Sequence, residues 1–230
     1  PLFVAGTQKP IISPPVVSFH RKGGRLVLFG TGKYLETGDT TTTNTQTVYG
    51  IWDNNATASI SAGTLVQQVI TDDADKRTGT INPVPYSATI KGWYINLPVS
   101  GERVTGVPTL VDGIFLFNTI IPTASPCDFG GRGFVNAIDF LTGGMLAMPA
   151  FDTNRNRVLG VDDGLSVGIE IGFSVGGSTR IKGHSDDTIV SSVSGSGDGS
   201  VGNHENLDTK KVSPGPEGLK GRITWKEFLP

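Results

Sequence analysis

Only one cysteine occurs in the 230-residue sequence, so Cys127 has no partner for an internal bridge, and no nucleophile motif surrounds its thiol. There is no run of about 18 consecutive apolar residues, which excludes a membrane-spanning helix, and no charged-then-apolar leader opens the chain. Charge is scarce: charged residues make up 17% and the formal net charge is −2. That leaves no basic field to draw in phosphate backbones or anionic lipids, so nucleic acid is excluded as a partner. Helical periodicity is almost absent. The chain starts at Pro1 and in mid-pattern, as expected of a piece of a larger precursor whose export signal would lie upstream.

Turn-formers are abundant. The sequence holds 32 Gly and 14 Pro with no Pro- or Gly-only tract, a composition of many turns between short apolar runs. Such runs occur at Leu26 to Phe29, Val107 to Leu110, Ile114 to Phe117 and Phe134 to Phe140, and each reads as a strand. One stretch, Ala62 to Ile70, reads as a short helix with Ser61 or Thr64 near its start. A loose repeat supports a finer reading. Pro15-Val-Val followed by Gly24-Arg-Leu-Val-Leu-Phe-Gly is echoed by Pro108-Thr-Leu-Val followed by Gly113-Ile-Phe-Leu-Phe-Asn, each a strand, a turn and a strand. After the second copy, an alternating run from Gly133 enters a tight turn carrying Asp139, Thr142 and Gly143. A third, weaker copy runs through 176–181 and 188–193, with 195–200 as its turn, and Gly221 to Phe228 reads as a closing strand. Polar insertions at about 53–90 and 184–220 read as surface excursions or partly disordered loops. The expectation is an all-β fold: about three blades of a β-propeller with long loop insertions, residues 1–230 forming one portion of that domain. Three blades do not close a ring, so the piece should pack against the rest of the same propeller.

Several collinear segments resemble the PilC/PilY family of type IV pilus-tip proteins. They are Leu28-Phe-Gly-Thr-Gly-Lys-Tyr-Leu-Glu36, Thr45-Gln-Thr-Val-Tyr-Gly-Ile-Trp-Asp53, Leu65-Val-Gln-Gln68 and Lys91-Gly-Trp-Tyr-Ile-Asn-Leu-Pro98. Gly101-Glu-Arg-Val104, Phe117-Asn-Thr-Ile-Ile-Pro122, Pro126-Cys127 and Gly221-Arg-Ile-Thr-Trp225 follow in the same order, so the resemblance covers nearly the whole chain. It implies the C-terminal part of a seven-bladed propeller, with the missing blades upstream of Pro1. It also implies an exported protein of the pilus tip and cell surface, outer membrane or periplasm. Its partners would be tip pilins and, in some members, a host-surface receptor or glycan. Its work would be pilus assembly, twitching motility and adhesion, without enzymatic activity.

One segment has metal-ligand spacing. Asp152, Asn154, Asn156, Val158 and Asp163 fall at offsets 1, 3, 5, 7 and 12 of a calcium loop, supplying side-chain oxygens and, at Val158, a carbonyl. Calcium is therefore the candidate ligand. Arg157 stands where the sharp turn normally takes Gly, and Arg155 with Arg157 offset much of the charge of Asp152, Asp162 and Asp163. The alternative is an Asx-rich surface turn whose arginines pair with its own aspartates. The family's known calcium loop would lie upstream of Pro1, making this a separate site. Asp72, Asp73 and Asp75, and likewise Asp186 and Asp187, lack ligand spacing and read as solvated turns. Gly30-Thr-Gly-Lys33 lacks both the glycine spacing and the following helix of a phosphate loop and reads as a blade turn. His20, His184 and His204 are isolated in sequence and read as satisfied or exposed histidines. Trp52, Trp93, Trp225 and the eleven Phe read as blade packing, with any exposed ring a candidate for adhesion. Asp112-Gly113 and Ala137-Ile-Asp139 with Thr142-Gly143 also recur in quinone-cofactor dehydrogenase propellers. That reading is a second one, and a carbohydrate-binding propeller is a third.

Overall fold

The computed structural model describes residues 1–55, 58–73, 76–123, 131–154, 160–172, 178–182, 187–191 and 209–211. Cys127, His184, His204, Trp225 and the closing 221–228 segment lie outside them. Among the described residues every regular element other than short 3₁₀ turns is a strand, as the turn-rich composition requires. Two antiparallel four-stranded units carry the fold. The first is β1 (Val16–Phe19), β2 (Arg25–Gly30), β3 (Thr47–Asp53) and β6 (Gly92–Asn96). The second is β7 (Thr109–Val111), β8 (Ile114–Pro122), β9 (Gly131–Asp139) and β10 (Gly168–Gly172). The repeat visible in the sequence is the first hairpin of each unit. In the second copy Asp112 (φ 48°) and Gly113 (φ 83°) form a two-residue connection with positive φ at both positions. This primed turn matches the strand twist, and Asp-Gly favours it.

Between β3 and β6 the chain does not wander over the surface. It forms β4 (Leu65–Asp73) and β5 (Lys76–Gly79), and β4 changes partner halfway along. Leu65 to Val69 run parallel to β6, while Ile70 to Asp73 pair antiparallel with β5, which in turn pairs with β10. The result is one ten-stranded mixed sheet in the order β1-β2-β3-β6-β4-β5-β10-β9-β8-β7. Within the expected excursion at 53–90, β4 and β5 thus join the last strands of the two units. At the switch, Val69 N–H donates to Thr80 Oγ1 (2.9 Å), and Thr80 N–H donates back to the Val69 carbonyl (3.0 Å). The expected helix over 62–70 is a 3₁₀ turn at Ala62–Thr64 followed at once by β4. Val66, Val69, Ile70 and Thr71 are β-branched and lose rotamer freedom in a helix, and the free edge of β6 offers hydrogen bonds instead. Further along, β11 (Ser178–Lys182), β12 (Asp187–Ser191) and β13 (Thr209–Lys211) form a separate antiparallel sheet. Residues 178–181 and 188–191 of the weak third copy, and 187–191 and 209–211 of the 184–220 insertion, are therefore strands, while the turn expected at 195–200 lies outside the described residues.

Alternation along the strands divides each unit into two apolar faces. One face of the first unit, with Leu26, Leu28, Val48, Trp93 and Ile95, packs against Phe115, Phe117 and Ile138 of the second to form the central core. The outer face of the second unit, with Leu116 and Val135, is covered by Leu146 and Phe151. The outer face of the first unit, with Phe29, Tyr49 and Ile51, is covered by Phe3 and Ile60. That cover stops short of β1, where Val17 and Phe19 stand 52% and 84% exposed.

Candidate functional site

The seam between the two units is where polar chemistry concentrates. Gly101-Glu-Arg-Val104 crosses it: Arg103 exchanges both backbone hydrogen bonds with Ile120 of β8 (2.9 Å each), and Val104 N–H donates to the Thr31 carbonyl (3.0 Å). Glu102 is buried and accepts from both terminal nitrogens of Arg77 in β5, at 2.6 and 2.9 Å. The same guanidinium donates from Nε to Asp72 Oδ1 (2.5 Å) and lies 3.3 Å from the Phe134 ring centroid. One arginine of the hairpin therefore joins β4, the crossing segment and β9. Asp72, expected as a solvated turn residue, is a strand residue inside this network.

Arg103 holds the opposite rim. Its Nε donates to the Gly101 carbonyl and its terminal nitrogens to the carbonyls of Lys33, Asp39 and Thr42, all at 2.8–2.9 Å. These bonds fix the long β2–β3 connection that Gly30-Thr-Gly-Lys33 opens, a link between strands with a 3₁₀ turn and no α-helix. Asp39 closes a 3₁₀ turn there, its Oδ2 accepting from the N–H groups of Leu35 (2.8 Å) and Glu36 (3.0 Å). Those amides, chiefly that of Leu35, hold its carboxyl below the usual range.

The Asp139 turn is the other junction. Asp139 Oδ1 accepts from Thr142 N–H (2.7 Å) and Thr142 Oγ1 (2.8 Å), so both residues serve the turn itself. Trp93 Nε1 donates to the Phe140 carbonyl (3.1 Å), Tyr86 Oη to the Leu141 carbonyl (2.6 Å) and Gln68 Nε2 to the Thr142 carbonyl (2.9 Å). Three residues from 65–98 thus grip one turn of the second unit. Burial, with Asp139 nearby, pushes the Tyr86 hydroxyl above its ordinary value.

His20 is buried in an aromatic stack, 4.8 Å from Trp52 and 4.3 Å from Tyr86 between ring centroids, and its Nδ1 accepts from Lys22 N–H (3.3 Å). Of the two expectations for it, satisfied or exposed, the structure shows the first. Burial, then the charges of Lys22 and Arg21, lowers its pKa below the ordinary 6.5. The unfolded chain then binds the extra proton between that value and the lower native one. Stability from neutral His20 is therefore complete above about pH 6.5 and is lost as pH falls through that window. Melting temperature followed from pH 7.5 to 5 should drop over this range, and His20→Phe, which keeps the ring, should flatten that part of the profile. An unchanged profile in His20→Phe would contradict the assignment.

Of the calcium-spaced residues, Asp152, Asn154 and Asp163 are described, while Asn156 and Val158 lie outside the described residues, as do Arg155 and Arg157. Asn154 and Asp163 meet at the neck of the loop. The buried Asp163 accepts from Thr153 N–H (2.9 Å) and Asn154 N–H (3.3 Å) through Oδ1, and from Gly160 N–H (2.8 Å) through Oδ2. Asn154 Nδ2 donates to Asp162 Oδ2 (2.7 Å). The neck is thereby clasped by one carboxylate and backbone amides. Among the described residues no three His, Cys, Asp or Glu side chains converge on one point, and no helix is long and apolar enough to cross a membrane. Trp52 and Trp93 are buried packing residues, whereas Phe19 is exposed. The Arg77–Glu102 pair and the Arg103 fan were not singled out from sequence; the adjacency of Glu102 and Arg103 inside a recognised segment was the signal for them.

Comparison with known proteins gives a consistent result. Residues 2–82 match the family described as the PilY1 beta-propeller domain. The type IV pilus biogenesis factor PilY1 of Pseudomonas aeruginosa strain UCBPP-PA14 is 30% identical over 202 residues, covering 71% of this chain and 17% of that protein. A PilY1 homolog of Xylella fastidiosa strain Temecula1 is 31% identical over 247 residues, covering 100% of this chain and 19% of its own length. The crystal structure of the Pseudomonas aeruginosa PilY1 C-terminal domain superposes with a TM-score of 0.75 at 25% identity, covering 94% of this chain and 48% of that one. The chain thus spans less than a fifth of these curated relatives and about half of the solved domain.

Proposed function

Since this chain belongs to the PilY1 family of type IV pilus biogenesis factors, as a region of the C-terminal β-propeller domain, we propose that it is a non-catalytic scaffold in an exported pilus-tip protein. It presents loops to tip pilins and to a host-surface receptor or glycan, and so supports pilus assembly, twitching motility and adhesion. The observation that carries this reading is the unbroken strand pairing through two successive units and the hairpin between them. A stiff framework with loops at its rims suits presentation. On this reading the chain contributes about three blades of a seven-bladed ring. The blades upstream of Pro1 cover the outer face of β1, where Val17 and Phe19 are exposed. The quinone-dehydrogenase alternative is disfavoured, because the sequence has no adjacent Cys-Cys pair and Trp93 is buried beneath the Asp139 turn.

The test is genetic. In a type IV-piliated bacterium lacking its own family member, the full-length protein is expected to restore surface pili and twitching, and the same protein without residues 1–230 to restore neither. Full piliation and motility by the deleted protein at equal export would overturn the reading. Glycan binding by the intact domain would favour the carbohydrate-binding alternative for its loops.

Calcium at the 152–163 loop is a separable part of the proposal, with Asp152, Asn154, Asn156, the Val158 carbonyl and Asp163 as ligands. The spacing supports it, and the Asp163 carboxylate closes the neck of the loop through Asn154 N–H. Calorimetry on the intact C-terminal domain should show one bound ion fewer in Asp152→Ala/Asn156→Ala, a pair that spares the Asp163 clasp. Equal stoichiometry would leave the loop an Asx turn.

A further inference from the structure

Asn55-Ala56-Thr57 is the one Asn-x-Ser/Thr triplet in the sequence; Asn55 lies at the rim of the first unit, and Ala56 and Thr57 lie outside the described residues. Asn55 is exposed, two residues beyond Asp53, the last residue of β3. The side-chain oxygen of its neighbour Asn54 is buried, so one of two adjacent carboxamides is turned in and the other out. Asn55 has φ 63°, in the left-handed region that asparagine tolerates. Its N–H donates to Asp53 Oδ1 at 2.9 Å. This Asx turn lifts Asn55 off the strand line and uses the side chain of Asp53 for the backbone contact. Beneath the turn, Gly24 runs so close to the Asp53 carbonyl that no Cβ would fit, which gives the exposed residue a tight base.

We infer that Asn55 is an N-glycosylation acceptor, a surface position carrying the triplet whose hydroxyl residue, Thr57, a transferase reads. The inference rests on the export reading above, because the modification takes place outside the cytoplasm. In the reaction, Asn55 Nδ2 attacks the anomeric carbon of a glycan carried on a polyprenyl pyrophosphate. The N–C bond forms as the bond from that carbon to the phosphate oxygen breaks. The electron pair leaves with the lipid pyrophosphate, and Nδ2 gives one proton to a base of the oligosaccharyltransferase. Nothing is oxidised or reduced. The Asp53 carboxylate, two residues ahead, adds a fixed negative charge that a cationic acceptor groove can pair with.

The experiment uses the full-length protein in a bacterial host supplied with an oligosaccharyltransferase and its lipid-linked glycan, with the exported fraction analysed by peptide mass spectrometry of Tyr34 to Lys76. Most copies should carry the glycan mass on Asn55. Asn55→Gln and Thr57→Ala should abolish it, and Thr57→Ser should keep it. An exported protein that folds normally by circular dichroism but is unmodified at Asn55 overturns the inference and leaves the export reading standing. Absence from the exported fraction overturns both.

Discussion

Glu102→Ala is expected to destabilise the domain by about 3–5 kcal/mol, the cost of leaving a buried charge without its partner. Arg77 and Glu102 both have side chains at 0% exposure. With Glu102 gone, the guanidinium retains one carboxylate, that of Asp72, which is one-third exposed. The pair is weak evidence for high stability in itself, because desolvating two charges offsets most of their attraction. Its stronger effect is on register. Arg77 is directly paired with Gly168 where β5 meets β10, and with Asp72 where β5 meets β4. A hairpin shifted by one residue would send the arginine to the opposite face and bury Glu102 alone. Arg77→Met with Glu102→Leu should therefore recover most of the stability in a denaturant titration of the intact C-terminal domain. It should still show faster hydrogen exchange at the β5–β10 amides than the parent. A loss below about 1 kcal/mol in Glu102→Ala would mean that water reaches the pair and that it does not clamp the seam.

The contrast between what could and could not be read from the sequence follows from the range of the interactions. β2, β8 and β9 were legible because apolar runs bounded by Gly, Pro and Asp report local preference, and Asp112-Gly113 specifies its own turn. The calcium spacing at 152–163 was legible as a pattern, but the clasp formed by Asp163 depends on which amides the folded loop presents. Ala62 to Ile70 reads as helix because β6, the edge partner of β4, lies beyond an intervening strand in the chain. A nine-residue strand with two successive partners has no local signature. The same holds for Arg77: a basic residue four positions beyond Asp73 resembles a solvated turn until Glu102 and Phe134 arrive from distant segments. The resemblance marked Gly101-Glu-Arg-Val104 without giving a reason for it, and the seam supplies one.

Trp93→Ala should cost about 3–5 kcal/mol, in the range for deleting a fully buried large side chain. The glycines around this ring permit a finer test. The indole lies between Gly50 of β3 and Gly143 of the Asp139 turn, and a Cβ on either would overlap the ring. The two positions differ in backbone: Gly143 has φ 69°, whereas Gly50 is not among the positive-φ glycines. Gly50→Ala therefore introduces overlap alone, worth about 1–3 kcal/mol. Gly143→Ala adds left-handed strain of about 1–2 kcal/mol to the same overlap. In a Trp93→Leu background, which removes much of the ring, the Gly50→Ala penalty should fall close to zero while Gly143→Ala keeps its strain component. Such a double-mutant cycle separates the two contributions, because the residues touch and should couple. If both glycine substitutions lose their whole penalty together, the turn is pliable and the ring does not lock it. If neither changes, the ring is not the element the glycines accommodate, and the grip of the first unit on the second passes through Tyr86 and Gln68 instead.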